Sequence, residues 1–241
     1  MKLSLRILTV TNLILLFAVL PISAQTLYKV SLFRAAPGEL LPLIDNLKTR
    51  VQDYKKSGGD TPFIVRHSQG DQWDLMVYEH IDNYQTYYGK NEKLNSIFTP
   101  KHGDNYYKLV AFHETIYAEG PDYKTVSQLF DKSNFFHVEM FVALPGKQKE
   151  LLQQRKMENV YLQEIGRSAN LIFTVHQGAN WDSFTLGGYR DIKHYAESAD
   201  IPEKVEEKAA IKAGFKGVNY ISPYLRSLIA MHHDTLGGKV E

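Results

Sequence analysis

His137 and Glu139 stand one residue apart in a stretch that alternates polar and apolar side chains, so a strand there puts an imidazole and a carboxylate on one face. That pair admits two chemistries. An imidazole titrates near neutrality and a carboxylate can orient its ring, which is the equipment of a general base. Two or three imidazoles with a carboxylate are equally ordinary ligands for zinc or iron. The further candidates are His113 in His113-Glu114-Thr115, His176, and His233 in His233-Asp234-Thr235. His137, Glu139, His113 and His176 form the candidate catalytic set, and Arg66 with His233 the candidate cofactor-binding pair. Whether His113 corresponds to His233 or, shifted by one residue, to His232 is left open by the sequence. A structural role competes with all of these: buried histidines often only satisfy hydrogen bonds, and Glu139 could pair with Lys29 or Arg66.

Several chemistries are missing their residues. There is no Gly-x-x-x-x-Gly-Lys phosphate loop, no Gly-x-Gly-x-x-Gly turn after a strand, no Gly-x-Ser-x-Gly elbow and no His-Glu-x-x-His helix, which argues against nucleotide-driven chemistry and ordinary serine hydrolysis. The chain has no cysteine, so thiolate nucleophiles, thiolate metal sites and disulfides are excluded. Lys plus Arg number 28 against 27 Asp plus Glu without long runs of one sign, so nothing favours nucleic acid or an anionic membrane as partner.

The elements that must position these residues come in two copies. Residues 28–88 match residues 136–196 at a constant offset of 108, pairing Phe33 with Phe141, Pro37-Gly38 with Pro145-Gly146, Gln69-Gly70 with Gln177-Gly178, and Trp73-Asp74 with Trp181-Asp182. Both tryptophans fall at one repeat position, where packing and strand registration are their expected roles. Each copy begins with an alternating strand, a Pro-Gly turn and an amphipathic helix (Leu40, Leu43, Leu47, Val51, Tyr54 in the first). Then come a hairpin turned at Gln-Gly, a second helix and a last strand. In the first copy that second helix is expected over Asn83–Phe98 and the last strand over Lys108–Tyr117; in the second copy the helical region is expected to run from Lys193 to Ala213. The order β-α-β-β-α-β is the split βαβ of a ferredoxin-like unit, an α+β fold.

The N-terminus reads as a signal peptide, with Lys2 and Arg6, an apolar stretch Leu13–Leu20 and a small-residue site at Ala24, so the mature chain is expected to start at Gln25 and to be exported, periplasmic or extracellular, with no membrane attachment after cleavage. The resulting division is 1–24 signal peptide, 25–118 first repeat, 119–133 linker opened by Gly120-Pro121, and 134–241 second repeat.

On the element order, the Pro-Gly turns and the aromatic that opens the third strand (Trp73, Trp181), the chain resembles the dimeric α/β-barrel superfamily, with its antibiotic-biosynthesis monooxygenase-like, EthD-like and NIPSNAP-like domains. The resemblance implies that the two repeats pack sheet to sheet as an intramolecular barrel, and that a cavity between the sheets takes a small apolar or aromatic molecule. In that reading Val138, Met140, Phe184 and Leu186 lie under helices, while His137, Glu139, Ser183, Thr185, Thr174 and His176 face the cavity, with Lys29, Ser31, Arg66, His113 and Thr115 from the first copy. Some single-chain relatives of this build bind haem, though their diagnostic motifs are not found here. The functions that follow are a small-molecule enzyme, oxygenase-like in one reading, a non-catalytic envelope protein holding haem or another ligand, or an oligomeric scaffold built through exposed edge strands.

Overall fold

The computed structural model describes residues 26–90, 97 and 105–241. The expected signal peptide, and residues 91–96 and 98 of the helix expected at Asn83–Phe98, lie outside the described residues. Strand β1 (Thr26–Ala35) leads into helix α1 (Leu40–Lys56), then β2 (Phe63–Gln69), β3 (Leu75–Asp82), a π-helical turn at Thr86–Lys90, the short α2 (Tyr106–Leu109) and β4 (Val110–Gly120). The second half repeats this as β5 (Phe135–Ala143), α4 (Gln148–Glu164), β6 (Leu171–Gln177), β7 (Ser183–Tyr189), α5 (Ile192–Ala196), α6 (Glu203–Lys212), α7 (Ile221–Arg226) and β8 (Ile229–Lys239). Between the halves, α3 (Tyr123–Lys132) occupies most of the stretch expected as linker; Asp122 caps it by accepting from the Thr125 N–H at 3.0 Å. The expected long helix over Lys193–Ala213 is broken into α5, a 3-10 turn at Glu197–Asp200 and α6, because Pro202 has no N–H to give and cannot stand inside a helix.

The eight strands form one closed antiparallel ring in the order β1-β3-β2-β8-β5-β7-β6-β4. Each half supplies four neighbouring strands, and the halves join at two seams, β2 with β8 and β4 with β6. The two expected ferredoxin-like sheets thus cover one another as the duplication requires. A closed ring leaves these strands no free edge, so assembly by edge pairing is not open to them.

The interior of the ring is solid. Tyr28, Val30 and Leu32 of β1 share one cluster with Phe136, Val138 and Met140 of β5, strands that sit opposite each other on the ring and can meet only across its middle. Tyr78, Phe173 and Phe184 fill the space between, the last two stacked 4.6 Å apart. Trp73 is buried in the same cluster and Trp181 packs against it, as packing residues should. α3 adds Val126 and Phe130. Outside the ring, Phe33, Ile64, Leu75 and Val77 pack under Leu43, Leu47, Val51 and Tyr54 of α1.

The expected facing is therefore reversed. Val138, Met140, Phe184 and Leu186 fill the barrel, while His137, Glu139, Ser183 and Thr185, and in the first half Lys29, Ser31 and His113, occupy the outer, helix-covered face. Both faces of the central strands are buried, so alternation separates two sets without saying which set is inside. The more apolar set goes where neither helix side chains nor water can reach a polar group.

One repeated motif explains how the ring closes. Gly70 and Gly178 have φ of +118° and +91°, and a Cβ on either would lie 2.1 Å from a backbone oxygen of the other half's last strand, Asp234 O or Thr115 O. The Asp of each Trp-Asp pair adds a clamp: Asp74 and Asp182 accept from the backbone N–H of Ala35 and Ala143, each at 2.8 Å. Among the described residues no helix is long and apolar enough to cross a membrane. We expect Gly70→Ala and Gly178→Ala each to cost about 3 kcal/mol or more in urea unfolding, whereas Gly38→Ala, with open space around its Cβ, loses roughly 1 kcal/mol from its positive φ alone.

Candidate functional site

In the second half the register of β5 with β8 sets Glu139 opposite Asp234 and Phe141 opposite His232, and with β7 sets Glu139 opposite Thr185. These side chains share the outer sheet face beneath α4. His137 Nε2 donates to Asp234 Oδ1 at 3.2 Å, and His232 Nε2 lies 3.1 Å from Asp234 Oδ2. Thr185 Oγ1 donates to Glu139 Oε2 at 3.0 Å. From α4, Arg155, only 2% exposed, reaches Glu139 Oε2 at 3.5 Å, bonds Glu158, and lies over the Phe141 ring at 4.7 Å. Gln154 ties Arg155 and Glu158 together.

The electrostatics are lopsided. Glu139, Glu158 and Asp234 contribute three carboxylates to a cluster whose permanent cation is Arg155. Burial works against a charged His137, yet its bond to Asp234 and the charges of Glu139, Asp234 and Glu158 outweigh this and raise its pKa above the ordinary histidine value. Burial likewise raises Glu158, opposed by Arg155 and reinforced by Glu139. The bond from His137 lowers Asp234. One side remains open: Asp234 is 50% exposed. There Tyr195 stands 5.6 Å from the His137 ring and 5.1 Å from Tyr189, whose hydroxyl burial pushes up to about 12.

The same outer face in the first half carries different groups. Lys29, Ser31 and Thr115 stand where the second half has His137, Glu139 and Asp234. Lys29 is buried and pairs with buried Glu79 at 3.4 Å, and Tyr87 joins both, accepting from Lys29 at 3.1 Å and donating to Glu79 at 2.9 Å. Burial raises the Glu79 carboxyl, with Lys29 pulling it back.

Of the sequence candidates, the structure brings together His137 and Glu139 alone. His113 lies on the first half's outer face, stacked 4.5 Å from Phe33 and bonded to Tyr106 and Thr115. His176 is largely exposed and pairs with Glu119 at 3.4 Å. Arg66 and His233 are exposed, and although their strands β2 and β8 pair, Arg66 stands opposite Gly238 and His233 opposite Met140 of β5, so the register does not bring the two together. The counterpart of His113 is His232: each stacks on the repeat-equivalent phenylalanine, Phe33 or Phe141, that faces it in register. Sequence reasoning missed Arg155 and Glu158 and named Asp234 only as the neighbour of His233, whereas it put Thr185 on the same face as His137 and Glu139. A signal existed at the 108 offset, where the core-facing Leu47 and Val51 of α1 become Arg155 and Asn159 in α4.

A separate apolar cavity of about 440 Å³ lies on the far side of α4, lined by Met157, Phe215, Tyr220, Pro223 and Tyr224 with Lys216. It belongs to the segment by which the second half is longer than the first.

No protein-family model matches the chain, and no curated protein matches it. Solved structures do. An anthrone oxidase-like protein is 10% identical with a TM-score of 0.58, covering 90% of this chain and 92% of its own. A candidate monooxygenase from Fusobacterium nucleatum subsp. nucleatum is 13% identical with a TM-score of 0.57, covering 90% and 94%. A mutant chlorite dismutase from Candidatus Nitrospira defluvii is 12% identical with a TM-score of 0.50, covering 90% and 93%. At these identities the likeness is one of fold.

Two outcomes follow from the charges. Arg155→Met leaves Glu139 and Glu158 without their cation and should cost roughly 3 kcal/mol in urea unfolding at pH 7.5. Burial and the nearby Lys29 charge lower the pKa of His113 from the ordinary histidine value of 6.5 to about 4. The unfolded chain therefore binds the extra proton first, so this contribution to stability is complete above pH 6.5 and is lost as pH falls towards 4. Unfolding curves at pH 7.5 and 4.5 should show that loss, and His113→Gln should reduce it.

Proposed function

Taking the chain as a dimeric α/β-barrel protein that carries both ferredoxin-like halves in one polypeptide, we propose that it is an exported small-molecule enzyme or binding protein whose working site is the outer face of the second half. The observation that carries this is the cluster of His137, Glu139, Asp234, Arg155 and Glu158: buried charges are costly, and here five ionisable groups are held together with one side open to water. Tyr189 and Tyr195 beside that opening suit an apolar or aromatic ligand with a polar group directed at the cluster. The oxygenase-like form of the proposal leans on the anthrone oxidase-like and monooxygenase proteins that share the fold. His137 and Glu139 are the groups we assign to contact the substrate.

A second reading, non-catalytic capture of an apolar molecule, is favoured by the cavity on the far side of α4, whose size and lining are those of an ordinary ligand site. Native mass spectrometry and an absorption spectrum of protein purified from its own compartment separate the two. We expect a retained small molecule, or a turnover on aromatic test substrates, that the double substitution His137→Ala, Glu139→Ala removes while the circular dichroism spectrum is kept. A retained mass that survives this change and disappears with Tyr220→Ala, Tyr224→Ala selects the second reading. Retention or turnover indifferent to both variants defeats each. Export is checked on the same preparation: its first residue should be Gln25, and a chain still starting at Met1 would overturn it.

A further inference from the structure

We propose that the second half binds one divalent transition-metal ion, with zinc as the probe cation, on His137 Nε2 and the carboxylates of Glu139 and Asp234. The inference deepens the reading of that face as the working site and rests on it. The three ligand atoms already lie within 4.8 Å of one another. Ligands of a tetrahedral zinc stand roughly 3.3–3.5 Å apart, so small side-chain rotations complete the set. No backbone has to move, because His137 and Glu139 are on one face of β5 and Asp234 faces Glu139 across the β5–β8 pairing.

The surroundings of the three residues fit a cation in three further respects. Glu139, Glu158 and Asp234 outnumber Arg155, the permanent cation of the cluster, and a divalent ion neutralises that excess. Neighbours hold the ligands in place: Thr185 and Arg155 both engage Glu139 Oε2, leaving Oε1 for a metal, and His232 engages the second oxygen of Asp234. The exposure of Asp234 gives an ion its way in and leaves a coordination position for water or substrate, the pattern of a catalytic rather than a structural centre.

The first half argues the same point by contrast. At the three corresponding positions it has Lys29, Ser31 and Thr115, and the Lys29 ammonium supplies a cation that is part of the chain. A soluble ion is called for only in the half where a histidine stands at the position that lysine holds in the other.

The test is isothermal titration of the EDTA-treated full mature chain with zinc chloride, repeated with cobalt chloride followed by visible absorption. One equivalent per chain is expected, with cobalt bands of a nitrogen and oxygen ligand set. Glu139→Gln, Asp234→Asn and His137→Gln should each weaken zinc binding by roughly a hundredfold, and His232→Gln, which removes only a supporting contact, by roughly tenfold. Thr115→Ala in the first half should change nothing. Should Glu139→Gln fail to fold, the half-exposed Asp234 and the partly exposed His232 carry the test. Absence of binding by the folded wild type, or binding unchanged in Asp234→Asn and His137→Gln, overturns the proposal, the latter marking adventitious surface sites. Titration needs no organic ligand: loss of zinc binding alone, with turnover or retention still dependent on His137 and Glu139, sinks the metal and leaves the site standing.

Discussion

Two hydrogen-bonded seams, β2 with β8 and β4 with β6, turn two open sheets into one ring, and the placement of nearly every functional group follows from that closure. An open four-stranded sheet needs cover on its bare face. Here each bare face is covered by the other, and the enclosed volume is filled mainly by aromatic and branched side chains, few of which carry a polar group. Tyr28 reconciles its hydroxyl with this setting by donating to Pro121 O. The charged residues are left with the outer faces, where helices bring partners and water enters from the side.

The duplication supplies one backbone and two chemistries. Phe33 and Phe141, Asp74 and Asp182, Gly70 and Gly178 do the same work in each half, because they serve the ring. The residues between ring and helix serve nothing common to both halves, and there the copies part. The first half became a closed Lys29–Glu79–Tyr87 network under a well-filled α1; the second exchanged the apolar stripe of that helix for Arg155 and Asn159 and kept an open side at Asp234. Divergence between the repeats sets the outer face of the second half apart from that of the first more sharply than either copy alone could.

The architecture was legible because its signals are periodic and doubled: one offset aligns the strands, both Pro-Gly turns, both Gln-Gly turns and both tryptophans. The sidedness was not, because alternation in a strand buried on both faces names two sets without naming inside and outside. His137 and Glu139 were correctly placed together, by their spacing on one strand. Their company was out of reach: Asp234 comes from almost a hundred residues away through the β8 register, and Arg155 from the helix above. His113 and His176 joined the candidate set by residue type alone, and the fold sends them to other places. The choice between His232 and His233 turned on a one-residue register that the stacking on Phe141 decides.

The seam that pairs Val65 with Lys239 joins residues 174 positions apart in the sequence. Contacts so far apart in sequence form slowly, since the long intervening loop must be closed before any hydrogen bond rewards it. The ring cannot be completed until β8 has been made and has reached both β2 and β5, so until then each sheet keeps one flank unmatched. Losing β8 would leave both halves unsealed, not merely the second one shortened.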